Sequence, residues 1–201
     1  MSIEKPAPSK YPLEENIAKR WSPRTFADRA VETETLGSLL EAARWAPSSS
    51  NEQPWYFLVA TKRDPAAFAG MLETLVPINQ RWAANADVLL ISVARLNWAR
   101  TGQPNRHAFH DCGLALANLL TQATSMGLAS HAMAGFSPEK ARELFEVPEG
   151  YEPLTAIAIG YPGDLDALPP DQRDREIAPR KRKELSEFVF EGSWGRAVEG
   201  I

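Results

Sequence analysis

Apolar residues recur at helical spacing in Leu36, Leu39, Leu40 and Ala43, which predicts an amphipathic helix with Thr33 or Thr35 available as its cap and Pro47 as its stop. A longer stripe through Leu116, Leu119, Leu120, Ala123 and Met126 predicts a helix from Arg106 to Met126, the longest of the chain, with Gly127 placed to close it. Val88 to Ala94 follows another rule. Its unbroken apolar run of strand length is the pattern of a strand buried on both faces, so helices are expected on both sides of its sheet. Leu154 to Tyr161 reads as a second buried strand, and Trp55 to Thr61, aromatic and β-branched after Pro54, as another.

Local signals fill in the remainder. The short segment Leu13 to Lys19 must end before Pro23, which disfavours helical geometry at Ser22. Pro65 opens a helix through Leu75, and Ser137-Pro138-Glu139 supplies a cap, a first-turn proline and a first-turn acid for a helix towards Phe145. Positions 162 to 183 are rich in Pro, Asp and Arg with little apolar periodicity. Leu185, Phe188, Val189 and Phe190 then return beside Trp194, an apolar tail that needs a surface to dock on. The sum is an α+β or three-layer domain spanning residues 1–201, with about four strands separated by helices and no internal repeat.

Composition narrows the function. A chain of 201 residues, 44% hydrophobic, buries roughly 70% of its extended surface, enough for one substantial core. The net charge of −4 offers no general attraction to nucleic acid or anionic lipid, so any bound anion must be held locally. Cys112 is the single cysteine, which rules out an intrachain disulfide and fits a reducing, cytoplasmic setting; no Cys/His spacing suits a metal. The polar start of the chain, and a longest apolar run far short of the ~20 residues of a membrane span, point to neither export nor insertion. GxGxxG and GxxxxGK(S/T) are missing, which removes the common dinucleotide and P-loop readings.

Three segments carry candidate chemistry. Arg20-Trp21-Ser22-Pro23-Arg24 offers two guanidinium groups and a hydroxyl, a set suited to a phosphate and nearby hydroxyls. Ala46 to Trp55 packs Ser48, Ser49, Ser50, Asn51 and Gln53 into one turn, where hydroxyls and carboxamides match the edge of a heteroaromatic ring. Pro179-Arg180-Lys181-Arg182-Lys183, if extended, sends Arg180 and Arg182 to one side. Each has a plainer reading alone: a solvated charge cluster, helix-end capping, and a surface charge run.

Their order along the chain resembles that of the nitroreductase family of flavoproteins. The middle agrees: Asp111-Cys112-Gly113-Leu114-Ala115-Leu116-Ala117-Asn118-Leu119-Leu120 opens a helix ending Ser125-Met126-Gly127-Leu128, followed by Gly135-Phe136. The resemblance implies a three-layer fold with a central, mostly antiparallel sheet flanked by helices, in an intertwined homodimer with two FMN molecules at its interface. The tail from about 184 to 201 then wraps the partner subunit.

Residue by residue, the resemblance makes Arg20, Ser22 and Arg24 flavin contacts, with Arg180 and Arg182 completing a cage around the FMN phosphate. Pro47, Ser48, Ser49 and Asn51 reach the flavin from the partner, with Gln53 and Asn79 near the ring or ribityl chain. Ala132, Met133, Ala134 and Gly135 lie along the ring, where some relatives carry a proline and a glutamate. The small residues here leave the backbone of Ala134 and Gly135 to approach the flavin N5. NADH or NADPH is the implied electron donor, a nitroaromatic, quinone or similar planar molecule the acceptor, and the kinetics ping-pong with no catalytic side chain.

Other readings keep the fold and change the reaction: reductive dehalogenation, enal or semialdehyde reduction, flavin cleavage, or a non-catalytic FMN carrier. A nucleic-acid-binding module built on residues 180–183 is disfavoured by Asp171, Asp174 and Glu176, whose charges oppose that run. His107, His110 and His131 are possible proton donors, with surface or packing roles commoner, and Cys112 reads as structural. Trp82, Trp98 and Phe109 are candidates to line the acceptor pocket.

Overall fold

The computed structural model describes residues 3–168 and 170–201, with Asp171 described by its main chain alone. The charge balance expected of Asp171 therefore lies outside the described side chains. Four strands, β1 (Trp55–Thr61), β2 (Val88–Arg95), β3 (Ala129–Met133) and β4 (Tyr151–Gly160), form one open sheet in the order β1-β2-β4-β3. All three pairings are antiparallel, and a register shift between Ser92 and Val93 marks an irregularity in the β2–β4 pair.

The continuous apolar run of β2 is explained by its position. On one face Leu89, Ile91 and Val93 meet Phe68 and Met71 of α3 (Pro65–Thr74) and Trp82 of α4 (Pro77–Ala83). On the other face Val88 and Leu90 meet Leu36 and Leu39 of α2 (Thr33–Arg44) and Ala115 and Leu119 of α5 (Ala108–Ser125). Helix, sheet and helix thus form three layers around a central strand with no polar face.

The helix ends follow local chemistry, with one change from expectation. Gly127, at φ 72°, lets Leu128 N–H reach Ala123 O at 2.8 Å and Gly127 N–H reach Thr124 O at 3.0 Å, the paired bonds of a Schellman close after α5. The Ser137 hydroxyl accepts from Lys140 N–H at the start of α6 (Pro138–Leu144). Neither Thr33 nor Thr35 caps α2. Glu32 occupies the cap position without a side-chain bond to the helix N–H groups, while Thr33 begins the helix and its hydroxyl accepts from Arg63.

Two helices complete the set: α1 (Glu15–Lys19), and α7 (Pro170–Ile177) inside the stretch read as irregular. α7 buries Gln172 and Glu176, one helical turn apart, so its inward face is polar and leaves no apolar period in the sequence. The tail beyond it stays exposed; Leu185 is 37%, Phe188 57% and Trp194 93% accessible.

Candidate functional site

Arg20 to Arg24 leave α1 and are pinned from two sides. The Arg20 N–H closes the helix on Asn16 O at 2.9 Å, and Pro23 O accepts from the His131 ring on β3 at 2.9 Å. Arg24 N–H donates to Glu176 Oε1 at 2.7 Å, and its Nη1 pairs with Oε2 at 3.2 Å. The segment is thereby fixed against the β3 edge and α7.

The basic run after α7 arrives at the same place. Arg180 Nη1 donates to Lys5 O at 2.7 Å and to Ala18 O at 2.8 Å, while Arg182 is exposed and among the described residues reaches only its neighbour Lys181 O. Arg20 donates weakly to Ser22 Oγ at 3.4 Å. Burial, and then the positive charges of Arg180 and Arg182, push the Arg20 pKa down; burial and Arg182 do the same to Arg180.

Among the described residues no carboxylate pairs with Arg20, Arg180 or Arg182. Three guanidinium groups that repel one another, Arg20 and Arg180 half-buried and Arg182 exposed, are a donor set suited to a multiply charged anion such as a phosphate ester. Arg24 differs, because Glu176 already neutralises it.

The serine-rich turn stands elsewhere. Ser50, Asn51 and Gln53 all have positive φ, near 53°, 54° and 51°, a conformation costly for side chains of this kind. Polar anchors hold it: Ser49 N–H donates to the buried Asp111 at 3.0 Å, Gln53 N–H to Ser48 Oγ at 3.0 Å, and Glu52 pairs with Arg95 while accepting from Ala99 N–H. Gln53 Nε2 turns back onto Asn51 O. Pro47 and the Asn51 and Gln53 side chains are exposed, and Ser48 and Ser49 half-buried.

Ala132 and Met133 end the edge strand β3, and Ala134 and Gly135 follow it. The Met133 side chain is in the core and Ala132 packs against the opposite core, while Ala134 is exposed and presents no more than a methyl group beside its main chain. Gly135 is held by Val76 N–H at 3.0 Å and Asn79 Nδ2 at 3.1 Å, both bonding its carbonyl oxygen. A side chain at Gly135 would meet Asn79 Nδ2 at 2.7 Å, which explains the glycine. Asn79 is thus joined to the Ala132–Gly135 segment.

The two halves of the candidate site occupy opposite corners of the sheet. His131, which holds Pro23, lies in register with Ala158, Leu89 and Ala60. The serine turn feeds β1 at Trp55, on the other edge and five residues along, a separation of roughly 20 Å at ordinary strand spacings.

The Nitroreductase family model matches residues 17–161. This chain belongs to the nitroreductase family. A protein of Methanothermobacter thermautotrophicus named NADH dehydrogenase/NAD(P)H nitroreductase is 31% identical, covering 82% of this chain and 86% of its own. A crystal structure of an oxidoreductase containing FMN superposes with a TM-score of 0.89 at 35% identity, covering 98% of this chain and 100% of that one. A nitroreductase of Desulfovibrio desulfuricans solved in complex with FMN has a TM-score of 0.70 at 25% identity, covering 92% and 99%.

Within this nitroreductase framework some expected roles change. Trp82 is 2% exposed and packs between Phe26 and His131, which removes it from any acceptor pocket. Phe109 is 55% exposed, and Trp98 is half-buried in a turn closed by Gly102. Glu176 is buried and paired with Arg24 rather than with residues 180–183 among the described contacts. It is the functional candidate that sequence reasoning missed, because an acid in a charged stretch carries no periodic signal. Cys112 is buried, and burial reinforced by Asp111 pushes its thiol up to about 12, in keeping with a structural role.

Proposed function

We propose that this chain is an FMN-dependent oxidoreductase that draws electrons from NADH or NADPH and reduces a nitroaromatic, quinone or similarly planar acceptor by a ping-pong sequence. The observation that carries the reading is the convergence of Arg20, Arg180 and Arg182 without carboxylate partners on a chain of net charge −4. The residues fit the cofactor: the three guanidinium groups hold its phosphate, with Ser22 beside them for the ribityl chain. When bound, FMN supplies the hydride and electron chemistry that no side chain of this fold offers.

The chain's own part is orientation and electrostatics. Asn79 and Val76 fix the Gly135 carbonyl, so the main chain from Ala132 to Gly135 presents a rigid, narrow edge to the ring. His131 supplies no proton to the reacting centre, since burial holds its pKa near 4 and its Nδ1 proton is committed to Pro23 O. The strained turn bearing Ser48, Ser49 and Asn51 lies at the far corner of the sheet, a placement that supports its reaching the cofactor of a second copy in a homodimer. The exposed tail supplies the apolar surface for that assembly, and a reducing cytoplasm suits an enzyme fed by reduced nicotinamide. Among the described residues no helix is long and apolar enough to cross a membrane.

The deciding experiment is the absorption spectrum of the purified protein with FMN, before and after anaerobic NADH or NADPH, alongside its mass in solution. A bound flavin spectrum that bleaches, from a particle of twice the chain mass, is expected. Failure to bind FMN overturns the reading.

A further inference from the structure

Glu176 is 1% exposed, and a buried carboxylate is costly unless its oxygens are engaged. Both are taken by one residue: Oε1 accepts Arg24 N–H at 2.7 Å and Oε2 accepts Arg24 Nη1 at 3.2 Å. Its main-chain oxygen accepts Lys5 Nζ at 2.7 Å, and Lys5 Nζ lies 4.7 Å from the centre of the Trp21 ring. The Lys5 carbonyl in turn accepts from Arg180 Nη1, which also bonds Ala18 O, two residues before Arg20.

These contacts close a circuit running Arg24, Glu176, Lys5, Arg180, Ala18 and back along the chain to Arg20. It binds together three segments distant in sequence. Arg180 keeps its Nη2 and Nε hydrogens unengaged among the described residues, so the circuit fixes its direction without using up the donors a ligand needs.

We propose that Glu176 is a positioning residue for the cofactor phosphate: by clamping the main chain and guanidinium of Arg24 onto α7, it sets the spacing at which Arg20, Arg180 and Arg182 converge. The role divides the four arginines. Three face the anion, and Arg24, neutralised by Glu176, serves as the strut that aligns them. Removing the carboxylate frees one more cation near the site, so simple charge counting predicts tighter phosphate binding, whereas loss of positioning predicts weaker binding. The sign of the effect separates the two.

The inference rests on the FMN reading, and the test distinguishes their failures. The full-length chain, stripped of flavin, is titrated with FMN and with riboflavin, which lacks the phosphate, by flavin fluorescence. Glu176→Gln is expected to weaken FMN about tenfold and riboflavin less than twofold, in the manner of residues that orient a direct ligand contact. Unchanged or tighter FMN binding, or equal losses for both flavins, overturns the inference. Glu176→Asp, which keeps the charge and retracts it by one methylene, carries the same test with a smaller selective loss expected if the first variant does not fold. Arg182→Ala is the control for the site itself. If it loses no preference for FMN over riboflavin, the phosphate site falls; if it loses that preference while the Glu176 variants keep theirs, only the positioning role falls.

Discussion

His131 Nδ1 lies 2.9 Å from the carbonyl oxygen of Pro23, and this bond joins the edge of the sheet to the segment that carries Arg20 and Arg24. The carbonyl only accepts, so a proton sits on Nδ1, and the lowered pKa leaves the ring neutral near pH 7. Burial is the main cause of its lowered pKa of about 4, with the charges of Arg24 and Arg20 adding to it.

The sign of the pH dependence follows. Between about pH 6.5 and 4 the unfolded chain binds a proton at His131 that the folded chain refuses, so the stability contribution is complete above about 6.5 and is lost as pH falls towards 4. The loss reaches about 2 kcal/mol by pH 5, at ~1.4 kcal/mol per pH unit. Urea unfolding from pH 7.5 to 4.5 is expected to show this slope in the parent and to lack it in His131→Asn. Parallel profiles for the two proteins would remove His131 as the source.

Arg20→Ala and Arg182→Ala are each expected to weaken FMN by about 1.5–3 kcal/mol, the range for a hydrogen bond to a charged group. Riboflavin binding should hardly change. Ultrafiltration of the flavin-loaded variants reads the loss directly, and full retention of FMN in both contradicts the phosphate cage.

Asp111 is 2% exposed and accepts the Ser49 N–H from beneath the turn that carries the positive-φ residues. Asp111→Ala leaves that donor without its partner and is expected to cost about 1–3 kcal/mol of stability. Proteolysis should then cut within residues 47–53 before it cuts elsewhere. An intact turn at unchanged stability would show that the other anchors suffice.

What the sequence disclosed, and what it hid, follows from the type of signal. β1, β2, β4, α2, α3, α5 and α6 were legible because apolar runs, stripes and prolines marked them. β3 was not: Ala-Ser-His-Ala-Met has no β-branched residue and, at the edge of the sheet, it pairs with β4 alone among the described strands. α4 and α7 each begin at a proline, Pro77 and Pro170, a usable start signal, but the buried face of α7 is formed by Gln172 and Glu176. The arginine segments were readable as basic clusters, while the pairing of Arg24 depends on a partner 152 residues away. Trp82 was misplaced because an aromatic in sequence does not say whether it faces a ligand or the core.

The Cys112 thiol gives an independent check on the packing of α5. Burial, with Asp111 beside it, raises its pKa to about 12, so almost no thiolate exists at pH 8 and the folded protein should not react with an aromatic disulfide reagent. One thiol per chain should appear on adding denaturant. Rapid stoichiometric reaction of the native protein would mean that the first turns of α5 open far more readily than its core contacts imply.

The tail beyond Glu184 carries the last prediction. Trp194 is 93% and Phe188 57% exposed, and each large apolar side chain left in water forgoes up to about 2–3 kcal/mol of burial. Phe190 and Trp194 do contact each other, with ring centres 5.1 Å apart, yet that contact shields little of the indole. A second copy of the chain is the surface that the proposed homodimer supplies, so removal of residues 185–201 is expected to shift the solution mass towards that of one chain. FMN binding should fall with it, because the turn at Ser48 to Asn51 then loses its access to the neighbouring site. Light scattering coupled to size-exclusion chromatography measures the mass and the flavin absorbance together. A truncated chain that keeps twice the monomer mass and its full flavin content would place the dimer contacts elsewhere and leave the tail without this role.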